Sequence, residues 1–206
     1  MRDRYIEMTL AVICATLLSC SFFDPRDPED PDPGEEIQWQ QPYSPTTVIV
    51  NLESAMEGRS VSITMACCDS SYYFIADGAD IAEFGGSWDF SEWDYQVEQN
   101  TLMNIYSSVE GSGLPEDSLL SVVMQTVPTL PDPVAPSDSA ELWRDYQIVA
   151  AGSDYAGWDS PAIGRVMFLM VEDSYGLWSI RRWYDYRPDD YTGEYYTWGV
   201  AKATFR

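Results

Sequence analysis

Two periodicities follow one another along this chain, and the switch between them limits the folds open to it. From residue 44 to about residue 109, apolar side chains recur at helical spacing. From about residue 119 onward they recur as strands broken by short reversals. Ser44-Pro45 is a helix start, with serine as N-cap and proline at the first helical position. Val48, Leu52, Ala55 and Met56 then fall on one face, and Gly58 ends the run. Ser60 to Cys68 predicts a second, short helix with Val61, Met65 and Cys68 inward. Tyr72 to Ala76 predicts a strand, and Gly78 to Ser87 a loop broken at Gly85-Gly86. Ser91 predicts the cap of a third helix running to about Val109, with Leu102, Ile105, Tyr106 and Val109 as its stripe.

The second half predicts strands over Leu119–Val127, Leu142–Ala151, Ile163–Glu172 and Leu177–Arg187, with a proline-rich loop over Pro128–Ser139. Val166, Met167, Phe168 and Leu169 are apolar on both faces, as a central strand requires. Asp173-Ser174-Tyr175-Gly176 is a hairpin turn. Helices followed by strands with short reversals predict an α+β fold: a curved antiparallel sheet wrapped around N-terminal helices. No internal repeat is evident.

Ahead of this domain lies a different kind of sequence. Met1 to Arg4 is basic, Met8 to Ser19 is apolar, and Leu17-Leu18-Ser19-Cys20 closes the run. An apolar stretch of a dozen residues is shorter than the roughly 20 needed to span a bilayer as a helix. The segment has the parts of an export signal and resembles the lipobox of bacterial lipoproteins. The resemblance implies cleavage before Cys20 and lipidation of its thiol and new amino group; more than one chain is needed for stable anchoring. Ser21 after the lipidated cysteine is similar to outer-membrane sorting in proteobacteria. Asp24 to Glu36 is almost wholly Asp, Pro, Glu and Gly. Its carboxylates repel, its prolines stiffen the backbone, and it offers no apolar surface to offset ordering entropy. The expected organisation is a signal over 1–19, a lipidated stalk over 20–41 and one domain over 42–206.

The net charge of −23 excludes a nucleic-acid partner, because phosphates would be repelled. Arg2, Arg4, Asp3 and Glu7 cancel, so loss of the signal leaves that charge intact. Anionic lipid would repel the same surface, which assigns membrane attachment to the lipid. The chain has no histidine, which excludes Ser-His and Cys-His nucleophile pairs and histidine metal sites. Cys67 and Cys68 are adjacent, and a disulfide between neighbours is strained. They read as two small apolar residues. No metal and no cofactor are expected.

Several short stretches carry a wider resemblance, over about Ser44 to Arg206, to the nuclear-transport-factor-2-like superfamily, which includes SnoaL-like cyclases and ketosteroid isomerase. They are Cys68-Asp69-Ser70-Ser71-Tyr72, Ser87-Trp88, and the hairpin Tyr175-Gly176-Leu177-Trp178-Ser179-Ile180-Arg181-Arg182-Trp183-Tyr184-Asp185. The tail Thr197-Trp198-Gly199-Val200-Ala201-Lys202-Ala203 is similar to lipoprotein members. The resemblance implies a cone-shaped domain. Its enzymes set an inward carboxylate beside a tyrosine or a second acid in an apolar cavity. Asp77 is the candidate base here, displaced from the isomerase position, with Asp145 and Asp185 on later strands. Tyr72, Tyr73 and Tyr146 are candidate donors. Tyr72, Tyr73, Tyr146, Trp183 and Asp185 are the candidate pocket lining, although Asp185 also reads as an ion pair with Arg181 and Arg182, and Trp183 as core. Three functions are open: a non-catalytic envelope lipoprotein binding a small hydrophobic molecule, peptide or envelope partner; a cofactor-free isomerase, cyclase or dehydratase using a buried carboxylate; and a structural subunit of an envelope assembly, with a homodimer through the outer face of the sheet as one arrangement.

Overall fold

The computed structural model describes residues 37–110, 119–134, 136–150 and 161–206. The expected signal, Cys20 and the acidic run over residues 24–36 lie outside the described residues. The chain divides into two units, Met1–Glu36 and Ile37–Arg206, and the second is described here.

It is an α+β domain. Helices α1 (Pro45–Glu57) and α2 (Val61–Ala66) lead into strand β1 (Cys68–Ile75). Helices α3 (Gly78–Phe84) and α4 (Tyr95–Glu110) follow. Strands β2 (Leu120–Thr126), β3 (Ser139–Ala150), β4 (Ala162–Glu172) and β5 (Trp178–Tyr186) come next, and α5 (Trp198–Ala203) closes the domain. The five strands form one open sheet in the order β1-β5-β4-β3-β2, so the doubly apolar strand β4 is central, as its sequence predicts. Strands β2 to β5 pair antiparallel, while β1 joins β5 in parallel. That parallel strand departs from the wholly antiparallel pattern, because the helices between β1 and β2 carry the chain across to the other edge.

The first helix forms as its sequence dictates. Ser44 Oγ accepts from the Thr47 N–H at 3.2 Å, Pro45 takes the first position, and Gly58 ends the helix. Val48, Ile49, Leu52, Ala55 and Met56 are buried on one face. Two exposed-face carboxylates have a second use. Glu53 and Glu57, one turn apart, accept from the N–H groups of Met124 (2.7 Å) and Val122 (3.0 Å). They cap the free edge of β2, which blunts pairing with another chain.

Three local expectations are corrected. The stretch from Gly78 is helical because Asp77 caps it: Asp77 Oδ1 accepts from the Ala79 N–H at 2.6 Å, and no breaker follows until Gly85. The third helix starts at Tyr95 rather than after Ser91. Ser91 is turned onto Asp89 Oδ1, and Asp94 does the capping through the Val97 N–H at 2.9 Å. Cys68 begins β1, and Cys67, the C-cap of α2, is the buried cysteine of the pair. Burial pushes its thiol up to about 12, and Cys68 is raised as well, so neither is a ready thiolate.

The core lies between the helices and the inward face of the sheet. Phe168 and Trp183 meet edge-on at 4.8 Å, and Phe74 lies against Trp93 at 5.2 Å. Trp178 is buried, and its backbone N–H donates to the Pro42 carbonyl at 2.8 Å. Residues ahead of Ser44 also belong to the domain. Gln40 exchanges two hydrogen bonds with buried Asn51, at 2.9 and 2.6 Å.

Candidate functional site

The inward face of β3, β4 and β5 brings together the two residues an acid–base site would need. Tyr146 on β3 and Asp185 on β5 are both buried, and Tyr146 Oη donates to Asp185 Oδ1 at 2.6 Å. They face each other across β4 because Gly164 stands between them. A Cβ on Gly164 would sit 2.5 Å from Tyr146 Cζ, so only glycine leaves room for the ring. Burial, opposed by the Tyr146 and Gly199 hydrogen bonds and by Lys202, raises the Asp185 carboxyl from 3.8 to about 7. Burial and the neighbouring carboxylate together push the Tyr146 phenol well above its ordinary range.

The expected ion pair of Asp185 with Arg181 and Arg182 is not formed. Strand alternation turns Asp185 inward, while Arg182 donates to the Ser71 carbonyl at 2.6 Å and Arg181 lies 3.5 Å from Asp69.

The other carboxylate oxygen is occupied by α5. The Gly199 N–H donates to Asp185 Oδ2 at 2.7 Å, and the Trp198 N–H donates to Tyr146 Oη at 2.8 Å. Free N–H groups at a helix start favour a carboxylate acceptor. Gly199 makes this contact a close one, since a Cβ there would lie 3.0 Å from Asp185 Oδ2 and 3.2 Å from Phe74. A second buried carboxylate holds the same helix. Asp80 on α3 accepts from Thr197 Oγ1 at 2.6 Å and from Arg187 Nε at 2.6 Å. Burial raises its pKa, and the Thr197 and Arg187 contacts oppose that rise.

One turn further along α5, Lys202 is fully buried. Its Nζ donates to both oxygens of buried Glu98 on α4, at 2.9 and 2.8 Å. It sits 3.3 Å from the ring centroid of Phe74, with Trp93 at 5.0, Trp183 at 5.1 and Trp198 at 6.0 Å. Burial pulls the ammonium down, and Glu98 works against this. Tyr72 Oη, Trp93 Nε1 and Trp183 Nε1 are buried without a hydrogen-bond partner among the described residues.

The structure thus unites Tyr146, Trp183 and Asp185 in the interior, with buried Tyr72 nearby. It leaves the other candidates outside. Tyr73 is half-buried under Arg182. Asp145 pairs with Arg165 at 2.7 Å near the surface. Asp77 caps α3 and also accepts from the Arg187 N–H at 3.1 Å. Asp80, Glu98 and Lys202 escape a reading of the sequence, because partners about a hundred residues apart leave no local pattern. Among the described residues, two open grooves lie beside this interior cluster, and Tyr72 belongs to the wall of the first. One, of about 550 Å³, is walled by Met65, Cys68, Tyr72, Tyr73 and Tyr95. The other, of about 560 Å³, runs along Ile81, Gly85, Trp88 and Phe90. Among the described residues, no group of three side chains is arranged to hold a metal ion, and no helix is long and apolar enough to cross a membrane.

The chain is similar to solved structures of nuclear-transport-factor-2-like or cystatin-like fold, all at low identity. One is an NTF2-like protein with a cystatin-like fold from Novosphingobium aromaticivorans, at 7% identity and TM-score 0.48, over 71% of this chain and 80% of that one. An NTF-2 like protein of unknown function from Shewanella oneidensis MR-1 aligns at 8% identity and TM-score 0.43, over 68% and 93%. A ketosteroid isomerase-like protein from Erwinia carotovora atroseptica aligns at 12% identity and TM-score 0.43, over 69% and 94%. No family model and no curated protein sequence matches the chain.

Proposed function

We propose that this chain is a lipid-anchored protein of the cell envelope, outer membrane included, whose cone-shaped domain works by binding and not by catalysis. One observation carries the non-catalytic reading. The Tyr146–Asp185 pair, which has the composition of an acid–base site, is capped by the backbone of α5. A substrate would have to displace two buried hydrogen bonds to reach it. The anchor rests on the Leu-Leu-Ser-Cys ending of the apolar segment.

The test is turnover. The full chain is offered a β,γ-unsaturated ketone, whose isomerisation needs only a base and a hydrogen-bond donor. No conversion dependent on Asp185 is expected. Conversion by the parent that disappears in a folded Asp185→Asn variant overturns the non-catalytic reading. The isomerase-type alternative has one observation of its own: burial brings the Asp185 carboxyl near neutrality, where a general base operates.

The outward face of the sheet supports a homodimer. Trp143, Met167, Tyr184 and Ile75 stand in one cross-strand row, with Tyr186 stacked on Trp143 at 5.6 Å. Glu141 and Arg182 flank this row on one side and the Asp145–Arg165 pair on the other, which gives it a polar rim. Light scattering checks this: Met167→Glu is expected to convert a dimer to a monomer, and a monomeric parent removes the idea.

A further inference from the structure

The surroundings of Lys202 exceed what a structural ion pair requires. Two charges buried at 0% and 3% side-chain exposure cost desolvation, and an apolar pair of similar volume would pack as well. The setting instead has the parts of a cation receptor. A carboxylate grips the ammonium with both oxygens, and four aromatic rings from β1, β5, α5 and the segment before α4 surround it within 6.0 Å. Around the same cage, Tyr72 Oη, Trp93 Nε1 and Trp183 Nε1 lack hydrogen-bond partners among the described residues. Lys202 has no acceptor to offer them. Helix α5 has six residues, too few to be helical by itself; all six are buried, and polar contacts to Asp80, Asp185 and Glu98 fix it in place. A net charge of −23 draws cationic ligands towards the domain.

We propose that the cage formed by Glu98, Phe74, Trp93 and Trp183 is a recognition site for a small primary alkylammonium ligand, which the chain fills with its own Lys202 and for which α5 and the ligand compete. This deepens the binding reading of the domain and rests on α5 closing the cone.

The experiment uses the full chain and n-propylammonium, which restores the atoms that Lys202→Ala removes. Lys202→Ala is expected to bind the probe saturably, with a rise in melting temperature that sodium chloride at equal ionic strength does not reproduce. Adding Glu98→Gln to that variant is expected to abolish the rise. Lys202→Met, which refills the space with an apolar chain, is expected to fold and to ignore the probe. In the parent, the probe is expected to speed hydrogen exchange at Gly199 to Ala203. A folded Lys202→Ala variant without saturable binding overturns the site. If that variant does not fold alone, recovery of the fold in the probe supports the site, and no recovery while Lys202→Met folds overturns it. Unchanged exchange of α5 in the parent, at probe concentrations that saturate Lys202→Ala, overturns the competition. Asp185-dependent turnover would instead remove the non-catalytic reading and leave the ammonium binding to stand or fall by its own measurements.

Discussion

Replacing Asp185 by asparagine removes one titrating proton and almost no volume. Its consequence can be worked out from the site. The folded-state carboxyl is raised from 3.8 to about 7, mainly because burial disfavours the charged form. The folded state therefore holds a proton that the unfolded chain releases near pH 4. Stability is fully present below the unfolded value and is lost as pH rises through the folded one. The span corresponds to about 4 kcal/mol, at about 1.4 kcal/mol per pH unit along the steep part. That is a large share of a domain stability of about 5–15 kcal/mol. Asparagine imitates the protonated acid: its oxygen can accept from the Gly199 N–H and its amide can donate to Tyr146 Oη. The variant should match the parent near pH 4, pull ahead steadily to about pH 7 and keep a constant lead above it. Urea unfolding followed by tryptophan fluorescence at four or five pH values measures both curves. Burial raises Glu53 and Asp80 as well. The difference between parent and variant isolates Asp185. Parallel curves would refute the reasoning, because they would mean that Asp185 is ionised in the folded domain at every pH tested.

Trp178→Ala should cost about 3–5 kcal/mol in denaturant unfolding, the usual range for emptying a large buried aromatic site; a loss below about 1 kcal/mol would mean that the ring lies at the surface. A chain starting at Ile37 should melt as the parent does, whereas one starting at Pro42 leaves Asn51 buried without Gln40 and should lose about 1–3 kcal/mol; equal melting of the two truncations contradicts this. Cys20→Ser should move the protein from the membrane to the soluble fraction and remove acyl mass; an unlipidated parent that stays with the membrane would defeat the anchoring proposal.

The fold class was legible because it is written in local pattern. Helical spacing of Val48, Leu52, Ala55 and Met56, the Ser44-Pro45 start and the doubly apolar stretch around Phe168 are each contained within a few turns or one strand. Near neighbours along the chain enforce them in any context. The interior site was legible only in part. Alternation along β5 leaves two faces, and the sequence does not say which of them is inward. Asp185 therefore reads first as an ion pair with the arginines beside it, and only second as a buried acid. The tertiary structure decided between these by bringing Tyr146 from β3 and Gly199 from α5 onto its two oxygens. Asp77 looked the better base because it follows a strand, yet it serves as a helix cap. The composition ruled out histidine chemistry and argued against a nucleic-acid partner, since residue type and total charge do not depend on the fold. Which charges are buried depends on nothing else. Glu98 and Lys202 are two ordinary charged residues among many until α4 and α5 meet behind the sheet and exclude water from both.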